Sequence, residues 1–344
     1  MNILDVFNQD VFQVVSLTTA INTLPHKPSF LESVLQFDDN PINTAVAVLE
    51  YEHGRLQLLS TSARGSQQDT EHSDERQVKH LKVPHVPQHS VLLADDVNGI
   101  RKFGGGAADV EDFSAAVAKR LKKHRDNHDV TLEYHRAGCL SGIVRDKDGS
   151  SLLNMFTEFG VTEQGFTFDL RSSATVGDLQ GKCREVTNYM EDKLGGQSNT
   201  GVRAACDDAF FEALIKLPEV RESYDRWNNG QRHRDPLTGR DKMWEWGGIE
   251  WFNYRGKIGT RNFLDGGATP SGFCRFWPTG VPELFTRTIA PADYIEAVGT
   301  MGKPYYAKQH RMKMDKGIEF ETQTNQLFAC TRPSTLAKGV ATLS

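Results

Sequence analysis

The sequence predicts an α+β fold, in which helices and strands do not alternate as regular β–α–β units. Three observations predict it. DFSAAVAKRLKKHRDNHDVTLEYHRAG (112–138) keeps a helical period over a span far longer than any strand. From WEWGGIEWFNYRGKIG (244–259) onward the chain breaks into short strand-like runs punctuated by Gly and Pro. Between two further strand-like runs lies LLSTSARGSQQDTEHSDERQVKHLKVPHVP (58–87), which is long, polar and nearly without a core of its own.

Composition sets the outer limits. The chain has 344 residues, 38% hydrophobic and 25% charged, with a formal net charge of −5. That length accommodates two domains, or one core with large excursions. A protein whose main task is gripping phosphate is strongly basic, because counterion release drives such binding; this one is not. No apolar run reaches the about 18 residues of a bilayer span. MNILDVFNQDVFQVVSL (1–17) has acidic residues and no basic start, unlike a signal peptide. The five cysteines, Cys139, Cys183, Cys206, Cys274 and Cys330, are scattered without CxxC or CxxH spacing. They read as reduced structural thiols, not as a disulfide framework or a zinc site.

In chain order, residues 1–44 show no strong period. Pro25 and Pro28 forbid a continuous helix and favour an extended path, so the segment reads as a draped arm. TAVAVLEYEHGRLQLLS (44–60) alternates well and holds His53-Gly54 as a turn signal, so it reads as a small hairpin or a single bent strand. The return run QVKHLKVPHVP holds Val78, Leu81, Val83 and Val86, and its Pro84 and Pro87 confine it to a sheet edge or to no sheet at all. Connections usually run to about 4–6 residues, so a polar excursion this long is expected to be ordered by a neighbour. In the long helix Asp109 is the expected N-cap and Glu111 and Asp112 favour the first turn. Val110, Phe113, Val117, Leu121, His124, His128 and Leu132 form its stripe, and Gly138 is the expected stop. About 29 residues make a rod of roughly 44 Å. Lys119, Arg120, Lys122, Lys123 and Arg125 keep one flank wet.

Farther on, CLSGIVRDKDGSSLLNMFTEFG reads as a hairpin turning at Asp-Lys-Asp-Gly. TVGDLQGKCREVTNYMEDKLGG reads as a helix with Val176, Leu179, Cys183, Val186, Met190 and Leu194 on one face. VRAACDDAFFEALIKLPEVRESYDRW gives a strand, an Asp-capped helix and a break near Pro218.

Three constellations could carry chemistry. His124, His128 and His135 share the long helix, and an i, i+4 histidine pair can hold a metal. Without HExxH and with cationic neighbours, the three read as solvated or subunit-facing polar residues. Gly104-Gly105-Gly106 before a helix could cradle an anion, but the Walker and dinucleotide signatures are missing and a hinge fits better. Arg232, Arg234, Arg240 and Arg255 interleave with Trp244, Trp246, Trp251, Phe252 and Tyr254. Such a mixture can grip single-stranded nucleic acid, yet it is also the make-up of protein interfaces, which the net acidity favours. No GxSxG elbow, Cys/His couple or carboxylate pair supplies a catalytic centre.

The later chain resembles a known family. APADYIEAVGTMGKPYYAKQHRMKMDKGIEFETQTNQLFACTRPSTLAKGVA (290–341) is similar to the C-terminal signature of lambda-type major capsid proteins of tailed bacteriophages. LTTAINTLP (17–25), RGS (64–66), VPHVP (83–87), RKFG (101–104), RDKDGSSLLNMFTEFG (145–160) and FFEALIKLPEVRESYDRW (210–227) follow the family's order along almost the whole chain.

The resemblance implies an HK97-type capsid fold with an N-terminal arm (1–44), an E-loop β-hairpin (45–95), a peripheral domain with the spine helix (96–174), an axial domain (175–305) and a return to the peripheral domain (306–344). It implies a structural head protein, not an enzyme, with no cofactor and no metal. Such a protein assembles into pentamers and hexamers of an icosahedral head around double-stranded DNA, in the virion capsid and after synthesis in the host bacterial cytoplasm. The implied partners are further copies of the chain, portal, scaffold and decoration proteins, and packaged DNA held without sequence-specific binding; no membrane is involved. Expected subunit contacts are Arg64, Arg76, Lys79, Lys82, Arg232, Arg234, Trp244 and Trp246, with Gly104, Gly105 and Gly106 as the hinge. The rival readings are a metal-dependent hydrolase using the helix histidines, a single-strand nucleic-acid binder using 232–255, and a cellular compartment shell of the same fold.

Overall fold

The computed structural model describes residues 14–23, 30–52, 76–93, 113–171, 177–234, 243–258, 261–264 and 272–343. In chain order the elements are α1 (Val14–Thr23), α2 (Phe30–Leu35), β1 (Asp38–Pro41), β2 (Val46–Glu52), β3 (Arg76–Lys82), β4 (Val86–Leu93), the long helix α3 (Phe113–Leu140), β5 (Ile143–Arg145), β6 (Ser151–Asn154), α4 (Met155–Phe159), β7 (Gln164–Asp169) and α5 (Asp178–Leu194). They continue with β8 (Gly201–Cys206), α6 (Asp208–Lys216), α7 (Pro218–Arg234), β9 (Trp244–Trp246), β10 (Ile249–Asn253), β11 (Lys257–Ile258), β12 (Arg261–Asn262), β13 (Phe273–Thr279), β14 (Phe285–Ile289), β15 (Tyr306–Arg311), β16 (Gly317–Thr324), β17 (Gln326–Cys330) and β18 (Ala337–Thr342).

The chain divides into two compact units. The first comprises Met1–Ala47, His80–Glu133 and Thr286–Phe328. Its main sheet is antiparallel, in the order β15-β16-β4, with Thr322 of β16 opposite Gln88 on one side and Ala307 on the other. The buried stripe of α3 continues through Val117, Leu121, His124, His128 and Leu132, a 3–4 residue spacing that keeps one face turned inward. Lys119, Lys122 and Lys123 stay exposed on the other face.

Residues 17–23 and 30–35 do not behave as a draped arm. Leu17, Ile21, Leu31 and Val34 are buried, and α1 is fastened to β15. Thr18 Oγ1 accepts from the Ala307 amide at 3.2 Å, and Asn22 Nδ2 donates to the Tyr305 carbonyl at 2.9 Å. Arg125 of α3 donates to the Ile21 carbonyl at 2.7 Å, satisfying a group that the end of α1 leaves without a helical partner. Glu133 does the reciprocal service at the start of α2, where Oε1 accepts from the Leu31 amide at 3.1 Å.

The second unit comprises Val48–Lys79, Tyr134–Phe285 and Ala329–Ser344. Its sheet has the order β7-β18-β13-β8-β10-β9. β8 lies antiparallel to β13 and parallel to β10, while β18 lies antiparallel to β13 and parallel to β7. The core is aromatic: Phe168, Phe210, Trp251 and Phe276 pack with ring centroids 5.5–6.4 Å apart, a spacing at which such pairs attract beyond their buried area. Leu179, Cys183, Val186, Met190 and Leu194 of α5 close over it, as their spacing predicts. Asp207 caps α6 through the Phe210 amide at 2.8 Å and also accepts from the Gly272 and Phe273 amides at 2.7 and 3.2 Å.

Two boundaries differ from expectation. Helix α3 passes through Gly138 and ends at Leu140. Gly138 serves close packing, since a Cβ there would lie 2.9 Å from the Val144 Cα; the turn falls at Gly142, whose φ is +78°. Instead of the whole of 306–344 returning with the peripheral strands, β18 pairs with β7 and β13 inside the second unit. Asp109, Pro25, Pro28 and Val176 lie outside the described residues.

Candidate subunit-contact surface

The long helix brings two of its histidines to a single hydroxyl. His124 Nδ1 and His128 Nε2 each lie 2.9 Å from Thr322 Oγ1. A hydroxyl has one proton to give and two lone pairs to offer, so a ring that accepts its proton must be neutral, while a ring that donates its own N–H to the oxygen can do so in either charge state. Both residues are 2% exposed. Burial, reinforced by Arg120 beside His124 and by His124 beside His128, pushes both down to about 4. His135, also buried, is held at about 4 mainly by desolvation. The expectation of solvated or subunit-facing histidines is therefore corrected: all three are buried in the chain's own fold, and His124 and His128 share the Thr322 hydroxyl. No group of three His, Cys, Asp or Glu side chains suited to a metal occurs among the described residues.

Next to this seam Arg125 is packed on three sides. Its guanidinium carbon lies 3.7 Å from the Tyr305 ring centroid, Nε donates to Asp129 Oδ1 at 3.2 Å, and the Tyr305 hydroxyl donates to the same oxygen at 2.5 Å. All five cysteines are free and buried. Desolvation pushes the Cys183 and Cys330 thiols up to about 12 and raises those of Cys139 and Cys274. These four stay protonated at neutral pH and are poor nucleophiles.

The expected contact residues fall into three groups. Arg76, Lys79 and Lys82 lie on β3, which pairs with β2 as a separate two-stranded sheet. Lys82 is exposed and Lys79 half-buried, whereas Leu81 between them is buried. Arg232 and Arg234 lie in the final turn of α7. The structure corrects Trp244. It is 1% exposed, inside the second unit's core, with its ring 5.4 Å from that of Tyr224, so it is spent on the chain's own fold. Trp246 is half-buried, and its carbonyl accepts from Trp251 Nε1 at 3.0 Å. Arg64, Gly104, Gly105 and Gly106 lie outside the described residues.

Sequence reasoning missed a second kind of surface. Ile295 is 88% exposed, Val298 76% and Met301 57%, all within one loop of the first unit; Met314, at the β15–β16 turn, is 87% exposed. Ala292, Tyr294, Ala297 and Tyr306 form a small buried cluster under the same loop. The signal was present: two interleaved apolar sets in ADYIEAVGTM cannot both face inward.

Comparison with known proteins decides the family. The model of the family described as phage major capsid protein E matches residues 13–341. The chain belongs to that family. Its task is therefore structural and not enzymatic, that of a major capsid protein. Among similar proteins, the major capsid protein of Salmonella phage Felix O1 is 24% identical, with 94% of this chain and 95% of that protein covered. The major capsid protein of Pseudomonas phage KPP10 is 25% identical, covering 97% of this chain and 98% of that protein. A candidate capsid protein of a prophage in E. coli CFT073 has a similar solved structure, with a TM-score of 0.57 at 13% identity and coverage of 96% and 99%. The fold is the HK97-type capsid fold.

Proposed function

We propose that this capsid protein E family member builds the head of a tailed phage as pentamers and hexamers around double-stranded DNA, in the virion, after synthesis in the host bacterial cytoplasm. The observation that carries the reading is the family match, which runs through both compact units. Head-to-tail contacts between identical subunits close into rings when the rotation permits. The strand pair of β2 and β3, within the expected E-loop, offers an element that packs on or adds strands to a neighbour. Lys79 and Lys82 on β3 discourage edge-to-edge aggregation before assembly. With a net charge of −5, the chain grips phosphate weakly, as suits an inner wall that must hold DNA without trapping it. Portal, scaffold and decoration proteins are the further partners this reading implies.

Electron microscopy of the expressed full-length chain tests it. Closed, hollow shells of uniform size are expected; a protein that stays monomeric at every concentration overturns the reading. Deleting residues 60–78 is expected to leave a folded subunit that fails to close shells, and normal shells from that deletion would remove the E-loop assignment.

A further inference from the structure

The loop 291–304 is built rigidly for something that the isolated chain does not use. Its backbone is tied by Ala297 N to Tyr294 O (2.9 Å), Val298 N to Ile295 O (3.3 Å) and Thr300 N to Ala297 O (3.1 Å). It is anchored to the unit by Gly302 N to Ile42 O (2.9 Å) and by Lys303 N to Tyr306 Oη (2.9 Å). A Cβ on Gly302 would come within 2.2 Å of the Ile289 carbonyl oxygen, so the loop lies directly on the strand end beneath it. Ala292, Tyr294, Ala297 and Tyr306 already give the loop its own buried cluster. Ile295, Val298 and Met301 are thus not needed inward, and they stand 88%, 76% and 57% exposed. Leaving three large apolar side chains in water on a stiff support is costly unless another surface covers them.

Charge and area together select the covering surface. Glu296, the carboxylate between Ile295 and Val298, is neutralised within the chain: Lys308 Nζ lies 3.0 Å from both its oxygens and 5.0 Å from the Tyr294 ring centroid. A contact between identical loops sets each residue beside its own copy, where a free charge would meet a like charge. The crest 295–301 has its one acid internally paired, and Asp293 before it accepts from Gln323 Nε2 at 2.5 Å, an arrangement that suits that geometry. The patch is on the order of a few hundred Å², against about 800 Å² per partner in a standard stable interface. It is too small to hold a dimer in dilute solution, and it suits a weak contact repeated many times in one assembly.

We propose that loop 291–304 is a preformed homotypic contact, at which Ile295, Val298 and Met301 of one copy pack against the same residues of other copies of this chain. The inference rests on the shell-forming reading above. Two variants test it beside the wild type, each as the full chain. The triple variant Ile295→Asp, Val298→Asp, Met301→Asp is expected to keep the wild-type far-UV circular dichroism and melting temperature while the yield of closed particles falls at least tenfold. Val298→Cys places a thiol on the crest while all five native cysteines stay buried. A short bismaleimide is expected to link its copies within assembled particles and not in the dilute subunit. Particles that form normally from the triple variant, or Val298→Cys particles that give no linked chains because the loop faces solvent or a different protein, overturn the inference. Should the triple variant melt early, the linking result decides alone. Wild-type protein that makes no particles at all counts against the capsid reading itself, which separates the two failures.

Discussion

Two regions of the first unit invert the usual relation between polarity and burial. The seam between α3 and β16 is polar and closed: His124, His128 and Thr322 are each 2% exposed or less. The loop 291–304 is apolar and open. In the seam, polar groups find partners within the chain, so burial costs little. On the loop, apolar groups find none, and a further copy of the chain supplies the missing surface. A subunit that must fold alone and assemble later needs both arrangements. The first completes the fold, and the second leaves the work of association undone until copies meet.

Acid should affect the buried histidines of α3 most, two of which line the seam. His124, His128 and His135 titrate near 4 in the fold against 6.5 in an unfolded chain. Between those values the unfolded state binds more protons, so stability is full above about pH 6.5, falls as the pH drops, and levels off below about 4. Each histidine contributes up to about 3 kcal/mol to that loss. Urea midpoints at pH 7, 5.5 and 4.5 should decline stepwise, and a flat series would mean that the rings are not held neutral.

The next largest effect separates a fold residue from a surface residue in the second unit. Trp244→Ala should cost about 3–5 kcal/mol, as expected for emptying a buried aromatic site. Trp246→Ala should cost clearly less. Equal losses would erase the distinction drawn between the two rings.

Thr322→Val should follow, costing about 2 kcal/mol, because it strands two buried imidazole nitrogens. Thr322→Ser keeps the hydroxyl and should recover most of that loss. A serine variant as unstable as the valine variant would show that the methyl group, and not the shared hydrogen bond, matters there.

Smallest of all in stability, Ile295→Asp should shift the unfolding free energy by no more than about 0.5 kcal/mol, as for a surface change that touches no packed group. A loss of several kcal/mol would place Ile295 in the fold and end its contrast with the seam.

Periodicity revealed what local physics controls. The stripe on α3, the buried face of α5, the Asp207 cap and the β5–β6 hairpin all follow from spacing and turn chemistry within a few residues. The histidines were not legible in this way, because the hydroxyl that satisfies His128 lies 194 residues away in the chain. Neither was Trp244. An aromatic–basic mixture indicates ring-rich contacts but not which ring points inward, and β9 buries Trp244 while leaving Glu245 exposed. The arm was misread at 17–23 and 30–35 because the sequence there does not reveal that the two short helices dock on β15 and α3. On the loop, apolar residues read as core by default; only the burial of Ala292, Tyr294 and Ala297 beneath them shows that Ile295 and Val298 are left over.

Hydrogen exchange measured side by side on the dilute subunit and on assembled particles tests the central claim most directly. The account predicts that amides of 317–324 are already protected in the subunit and change little, whereas those of 295–303 gain at least tenfold protection in the particle. Equal protection of 295–303 in both states would contradict it, for the loop would then have no partner among the copies.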